Sequence, residues 1–151
     1  MSFTLPAPMR LALDLAATAA EAGEVPVGAV IMRGDIVIAS AANMMCHGTD
    51  PTAHAEMQAI RAAAAALGAQ RLDDCDLWVT LEPCAMCAGA ISHARLRRLY
   101  YAADDPKGGA VAHGPRFFAQ PTCHHRPDIY GGIGDSEAAA QLRGFFAARR
   151  G

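Results

Sequence analysis

The segment Asp76-Leu77-Trp78-Val79-Thr80-Leu81-Glu82-Pro83-Cys84-Ala85-Met86-Cys87 decides the fold of this chain. Its first half, 76–81, is an apolar run rich in strand-forming residues, and it predicts a buried strand. Pro83 predicts that a helix starts directly after the strand, because proline is favoured in the first turn of a helix. Residues at i and i+3 lie on one helix face, so Cys84 and Cys87 can point at a single metal ion. A helix N-terminus also favours the thiolate form that binds metals.

A second motif, His54-Ala55-Glu56, opens another predicted helix. Asp50-Pro51-Thr52 supplies residues typical of a helix start, and the alanine-rich segment that follows runs to about Leu67 and stops at Gly68. Zinc accepts imidazole and thiolate ligands, and three protein ligands leave the fourth tetrahedral position open to water, as in a catalytic site. The sequence therefore predicts one Zn²⁺ held by three side chains: His54, Cys84 and Cys87.

Glu56 is predicted to be the catalytic residue beside this metal. It lies two positions after His54, about 200° further round a helix, so it does not approach the ion from the direction of the imidazole. Zinc lowers the pKa of a bound water to about 7, and a neighbouring carboxylate can take its proton and pass it to a substrate. His-x-Glu followed by Pro-Cys-x-x-Cys is the pattern of the zinc-dependent nucleobase deaminases.

Each half of this pattern has a simpler interpretation when it is taken alone. His-x-Glu occurs often by chance. A Cys-x-x-Cys pair can be a redox pair, half of a structural zinc site, or two packed thiols. The two motifs together, each opening a helix and the second following a buried strand, favour the deaminase site.

The rest of the chain predicts helices and strands in alternation, which is typical of an α/β layered sandwich. We find no linker, so residues 1–151 are expected to form a single domain. The remaining predicted elements are a helix over Met9–Ala22, hairpin strands over Val27–Arg33 and Ile36–Ala42 with Gly34-Asp35 at the turn, a strand over Leu96–Ala102, and a closing helix over Ser136–Arg150.

The composition limits the class of protein. Hydrophobic residues make up 52% and charged residues 19% of the chain, which fits a globular protein and not a disordered one. Without a secretory signal or a long apolar run, we expect a soluble cytoplasmic protein with no membrane partner. Five cysteines in such a protein favour metal binding or free thiols over disulfides. A net charge of −2 does not indicate a nucleic-acid partner, although local charge can still attract one.

These motifs resemble the cytidine deaminase-like superfamily and, within it, the bacterial tRNA-specific adenosine deaminases, which convert the wobble adenosine of an anticodon to inosine. The likeness covers nearly the whole chain. The resemblance implies a three-layer α-β-α sandwich with a mixed sheet of about five strands, one Zn²⁺ per subunit, a homodimer, and a tRNA anticodon stem-loop as partner. The strongest matching stretches are Glu24–Val30, Asp50–Glu56 and Val79–Ala90, and weaker ones are Asp105–Gly109, Cys123–Arg126 and Phe145–Arg150.

The resemblance also implies which residues bind the substrate. An asparagine after the second strand holds the purine, an aspartate in the loop after the fourth strand contacts the RNA backbone, and the last helix grips the anticodon stem-loop. The residue types suit these roles, because amides can pair with a purine edge, arginines pair with phosphates, and aromatic rings stack on bases. The implied substrate-binding residues are Asn43, Pro83, Asp105, Lys107, Phe146, Arg149 and Arg150.

Several structural alternatives stay open for these residues. Asn43 can simply end a strand, one of the two adjacent phenylalanines is expected to pack inward, and the two terminal arginines can form a solvated helix end. Arg97 and Arg98 can belong to a basic stripe, although strand alternation would put them on opposite faces. Cys123-His124-His125 has the composition of a second metal site, but the resemblance argues against one.

Two other functions also remain open. The zinc motifs do not separate a tRNA deaminase from a deaminase of free guanine, cytosine or a nucleoside, and an acidic residue at Asp104 weakens the electrostatic case for RNA. An inactive, zinc-stabilised interaction module is a further alternative. It is disfavoured because a structural zinc is ordinarily closed by a fourth protein ligand.

Overall fold

A mixed sheet of five strands forms the centre of the fold. The computed structural model describes residues 4–150, except for the side chain of the last of these. The sheet order is β2-β1-β3-β4-β5; β1 runs antiparallel to both of its neighbours, and β3, β4 and β5 are parallel. The strands are β1 (Gly28–Arg33), β2 (Ile36–Ala42), β3 (Asp76–Leu81), β4 (Arg98–Ala103) and β5 (Asp128–Tyr130).

Four α-helices cover the two faces of the sheet and complete three layers. They are α1 (Ala7–Glu21), α2 (Ala55–Leu67), α3 (Ala85–Ala94) and α4 (Asp135–Arg150), and a 3-10 turn spans Phe117–Ala119. The buried alanines of α2 and α3 pack with Ile31 and Leu77 on one face, whereas α1 and α4 pack with Val30 and Met32 on the other. The α-β-α sandwich implied by the resemblance is therefore confirmed, and β1 is apolar on both faces because both are covered.

The elements predicted from periodicity are present, and most of their bounds agree with the structure. The strand predicted over Leu96–Ala102 begins later, at Arg98, because Arg97 bonds through its N–H to the carbonyl of Cys75 outside the ladder. Strand β5 falls in a stretch that has no strand pattern. Its three residues are exposed and are held by parallel pairing with β4 and by the stacking of Tyr130 on Tyr100, long-range contacts that periodicity cannot reveal.

The connections place three loops at one edge of the sheet. The carboxyl ends of parallel strands meet at the same edge, and β3 leads there into α3 while β4 leads into the loop 104–113. Strand β2 runs antiparallel to β1, which is itself antiparallel to β3, so β2 also ends at this edge and leads through the loop 43–54 into α2. Within residues 4–150, no helix is long and apolar enough to cross a membrane.

Gly28 is required for the packing of α1 against β1. A Cβ atom at this position would lie 2.0 Å from the backbone oxygen of Ala12. We predict that Gly28→Ala lowers the free energy of unfolding by about 1–3 kcal/mol, because the helix must move away from the sheet. Gly144 is a matched control, since it is exposed on α4 with open space around it; Gly144→Ala should raise stability by roughly 0.5–1 kcal/mol through helix propensity. Urea unfolding measures the free energy of unfolding of both variants. Equal values for Gly28→Ala and Gly144→Ala would contradict the close approach of α1 to β1.

Candidate active site

The three predicted metal ligands meet at the N-termini of α2 and α3. His54 is the N-cap of α2, Cys84 is the N-cap of α3, and Cys87 lies in the first turn of α3. His54 Nδ1 lies 3.7 Å from Cys84 Sγ and 3.5 Å from Cys87 Sγ, and all three atoms lie within 4.8 Å of one another. The fold thus brings together side chains that are about thirty positions apart in the chain.

These distances suit one tetrahedral zinc ion. With Zn–N of about 2.0 Å and Zn–S of about 2.3 Å, the nitrogen and each sulfur of such a site lie about 3.5 Å apart. The donor set is also chemically suitable. Hydrogen bonds from Cys87 and then His54 lower the pKa of Cys84 to about 4, and the contact with Cys84 raises the pKa of His54. Cys84 is therefore the thiol of the pair that more readily forms the thiolate that binds zinc, whereas the same contact between the two thiols raises the pKa of Cys87.

A second group of potential ligands among the described residues is not suited to a cation. Glu82, Asp104 and His113 have ligand atoms within 4.8 Å of one another. The Glu82 carboxylate, however, accepts backbone N–H groups on both oxygens, including those of Asp105 and Val111. A cation there would face the positive ends of these N–H dipoles, so we interpret the group as an internal hydrogen-bond network.

Glu56 is a buried carboxyl group beside the triad. It lies in the first turn of α2, is 4% exposed, and lines the same cavity as His54 and Cys84. Burial raises the pKa of Glu56, because a carboxylate loses its hydration there. A carboxyl group with a raised pKa can both take up and release a proton near neutral pH, which is what a proton carrier requires.

Asn43 shares this cavity, which has a volume of about 270 Å³. Its side-chain oxygen accepts the backbone N–H of Ala55 at 2.8 Å. This hydrogen bond fixes the amide so that its NH₂ group is the part available to a ligand. The sequence left open whether the Asn43 amide would donate or accept, and in the structure its oxygen is already occupied as an acceptor.

A longer groove of about 660 Å³ adjoins this cavity. Asp105 and Gly108 line both, and Lys107, Phe146 and Arg149 line only the groove. The groove therefore brings the predicted contacts of the loop 104–113 and of α4 to the mouth of the metal site.

The two phenylalanines of α4 have different roles. Phe145 is buried, with the guanidinium of Arg149 stacked 3.7 Å above its ring, whereas Phe146 is 44% exposed and packs edge-on against Phe145. The expectation that one of the pair packs inward is met by Phe145. The guanidinium of Arg149 is held against a ring and is not a freely solvated helix end.

Two further predicted substrate residues remain, Pro83 and Arg150. Pro83 is buried outside the lining, and its carbonyl accepts the N–H of Ala110 at 2.9 Å. Arg150 ends α4, and its side chain lies outside the described part of the chain. The suggested basic stripe is also absent from the site, because Arg97 and Arg98 both pair with Asp76 at the start of β3.

The segment Cys123-His124-His125 serves the fold. The thiol of Cys123 donates to the carbonyl of His125, and the His125 ring bonds the carbonyl of Leu96 at 2.7 Å. These contacts hold the connection to β5.

Two buried glutamates near the site were given no role by the sequence. Glu24 accepts the N–H groups of Cys46 and His47 and contacts the His47 ring at 2.6 Å. Burial alone would raise the pKa of Glu24, but these hydrogen bonds outweigh it and lower the pKa to about 2. Glu82 is held in a similar way by the loop 104–113. The signal in the sequence was a single acidic residue inside an apolar run, which marks a carboxylate that must be satisfied internally.

Comparisons with known proteins agree with this geometry. The model of the MafB19-like deaminase family matches residues 6–149. A tRNA-specific adenosine deaminase of Agrobacterium fabrum is 58% identical over 94% of this chain and 93% of its own length. A solved structure from a study of A-to-I editing by tRNA:A34 deaminases at the wobble position has a TM-score of 0.88, with 58% identity over 89% of this chain and 98% of its own. A guanine deaminase of Nitrosomonas europaea has a TM-score of 0.78 and 25% identity, over 97% and 87% of the two chains.

We predict that Cys87→Ala and His54→Ala purify with almost no zinc and have a lower melting temperature, because zinc binding is coupled to folding. Cys46→Ala is the matched control, since that thiol is exposed and apart from the triad. Elemental analysis of chelator-free preparations measures the zinc per chain. Equal zinc in the Cys87 and Cys46 variants would exclude the triad as the metal site.

Proposed function

This chain belongs to the tRNA-specific adenosine deaminase family, and we propose that it hydrolyses the wobble adenosine of a tRNA anticodon to inosine, with release of ammonia. The proposal rests chiefly on one observation. His54, Cys84 and Glu56 line a small cavity that continues into a groove edged by Lys107, Phe146 and Arg149. A free base needs only the cavity, whereas a nucleotide in a loop also needs contacts for its neighbours.

We propose that the metal is one Zn²⁺ held by His54, Cys84 and Cys87, since the imidazole–thiolate distances fit a zinc site. When bound, zinc supplies a Lewis acid that lowers the pKa of a water molecule to about 7. The residues of the chain orient the base and move the protons.

Glu56 is the proposed proton carrier. Its carboxylate accepts the proton of the attacking water and donates it to the ring nitrogen beside the carbon under attack, and a second transfer lets the amine leave as ammonia. The reaction balances as adenosine plus water giving inosine plus ammonia. The burial of Glu56 supports this role, because a carboxyl group with a raised pKa holds a proton long enough to deliver it.

Asn43 is the proposed base-orienting residue. Its NH₂ group is available to the cavity and can donate to an acceptor nitrogen of the purine. A wobble nucleotide already lies in a single-stranded loop, so extruding it costs less than the few kcal/mol needed to flip a base out of a duplex.

The groove supplies proposed contacts for the rest of the anticodon loop. The charges of Lys107 and Arg149 suit phosphate oxygens, and the half-exposed ring of Phe146 suits a splayed base. Asp105 lies where the groove meets the cavity, and its carboxylate accepts the N–H of Gly108 at 3.0 Å. A homodimer and a cytoplasmic location remain predictions, drawn from the family resemblance and from where tRNA is modified.

A deaminase of free nucleobases is the second candidate, favoured by the structural similarity to guanine deaminase. The small cavity alone would suffice for that reaction. The two candidates differ in whether the cations of the groove contribute to binding.

The first test offers the protein an anticodon stem-loop with adenosine at the wobble position and, separately, free adenine, guanine, cytosine and their nucleosides. Mass spectrometry detects the exchange of an amine for a carbonyl. We expect that only the stem-loop, and none of the free bases or nucleosides, is converted. We expect Glu56→Gln to keep its zinc but to lose activity by about 10²–10⁴-fold, because it lacks the proton carrier. Conversion of a free base at a higher kcat/KM than the stem-loop would reject the proposal.

The second test concerns the groove. We predict that Lys107→Ala and Arg149→Ala each raise KM for the stem-loop and reduce the salt dependence of binding by about one charge. Arg33→Ala is the matched control, because Arg33 ends β1 at the opposite edge of the sheet. Fluorescence anisotropy at increasing salt concentration measures how steeply the affinity of each variant for the stem-loop falls with salt. The same salt dependence in all three variants would show that the RNA does not bind in the groove.

A further inference from the structure

The carboxylate of Glu82 is the common anchor of the loop 104–113. Oε1 accepts the N–H of Asp105 at 3.0 Å and lies 2.7 Å from Nδ1 of His113. Oε2 accepts the N–H groups of Val111, Ala112 and His113 at 3.0–3.1 Å. The two ends of the loop are therefore tied to the two oxygens of one side chain, which uses the whole acceptor capacity of a carboxylate.

The loop is wrapped tightly onto this anchor. A Cβ atom on Gly109 would lie 2.5 Å from the Glu82 carboxylate and 2.5 Å from the carbonyl of Asp105. The N–H of Gly109 bonds that same carbonyl at 2.8 Å, and Ala110 bonds Pro83 beside the metal ligand Cys84. The backbone of the loop is thus held by the same short segment, residues 82–84, that carries the proposed zinc ligand Cys84.

Glu82 does not face the substrate. Its side chain has no surface exposed to solvent, although the residue is among those that line the cavity. The loop that it holds does face the substrate, because Asp105 and Gly108 line both the cavity and the groove and Lys107 lines the groove. A change at Glu82 can therefore reach a substrate by moving this loop.

We propose that Glu82 is a positioning residue for tRNA binding: its carboxylate holds Asp105 and Lys107 at a fixed distance from the zinc ligands, and His113 closes the network from the solvent side. The inference rests on the proposed function for the identity of the substrate. It assigns Glu82 an effect on substrate binding and not on the chemical step, which is left to Glu56 and the metal.

The test uses Glu82→Gln, which keeps the size of the side chain. Both carboxylate oxygens accept backbone N–H groups, so the amide NH₂ opposes at least one N–H donor in either orientation. Glu21→Gln, on the exposed face of α1, is the matched control. Zinc content, hydrogen–deuterium exchange of the loop amides, and KM and kcat are measured for each, the kinetic constants on whichever substrate the wild-type protein converts.

We expect Glu82→Gln to keep its zinc, to exchange the amides of residues 105–113 at least about tenfold faster, and to raise KM on the order of tenfold with little change in kcat. A tenfold change corresponds to the loss of one charge-assisted hydrogen bond. If Glu82→Gln does not fold, His113→Ala removes only the ring contact and should shift exchange and KM in the same direction by a smaller factor.

Two results would overturn the inference. One is loop exchange and KM equal to those of Glu21→Gln. The other is a lower kcat at unchanged KM, which is the signature of a reduced fraction of folded enzyme. The zinc and exchange measurements need no substrate, so a wild-type protein that ignores the stem-loop would refute the proposed function while these measurements still decide whether Glu82 holds the loop.

Discussion

One imidazole and two sulfurs lie within 4.8 Å of one another, as a shared metal ion would require, and this meeting point constrains the arrangement of the molecule. It requires α2 and α3 to begin at the same edge of the sheet, about thirty positions apart in the chain. Small residues make this possible, because the buried faces of both helices are rich in alanine and let the backbones approach the sheet closely. Both helices then direct their N-termini at the site, where the helix dipole favours thiolate.

The walls of the site depend on buried carboxylates. Burying an ionised carboxylate is costly unless hydrogen bonds replace its hydration. Glu24 and Glu82 meet that condition with backbone N–H groups of the loops 43–54 and 104–113, each assisted by a histidine ring. The same bonds that satisfy the charge therefore fix the loops, so the cavity is bounded by two segments without regular secondary structure that are nevertheless closely held.

The charge of the site changes along its length. The cavity beside the triad is small and largely apolar, with Glu56 and Asn43 as its directed polar groups, whereas the groove beyond it carries charges of both signs, Lys107 and Arg149 beside Asp104 and Asp105. This order fits the proposed substrate, whose reacting base would enter the apolar cavity while its neighbouring nucleotides contact the charged groove. The overall charge of −2 is a poor guide to such a partner, because the field near the groove and not the net charge acts on it.

The sequence by itself determined the local elements and the chemistry of the metal site. The bounds of β3 follow from its apolar run, the hairpin from Gly34-Asp35, and the proposed metal ligands from two motifs, in one of which Cys84 and Cys87 lie one helix turn apart. Such features depend on neighbours a few positions apart, so periodicity and side-chain chemistry are enough to find them.

Only the tertiary structure decided the features that depend on contacts between distant segments. These include the pairing that creates β5, the orientation of the Asn43 amide, and the choice of Phe145 over Phe146 for the core. They also include the anchoring of a loop by Glu82 across more than twenty positions. A local pattern carries no information about such contacts, because the partner that satisfies a buried charge or covers a ring is chosen by the packing of the whole chain.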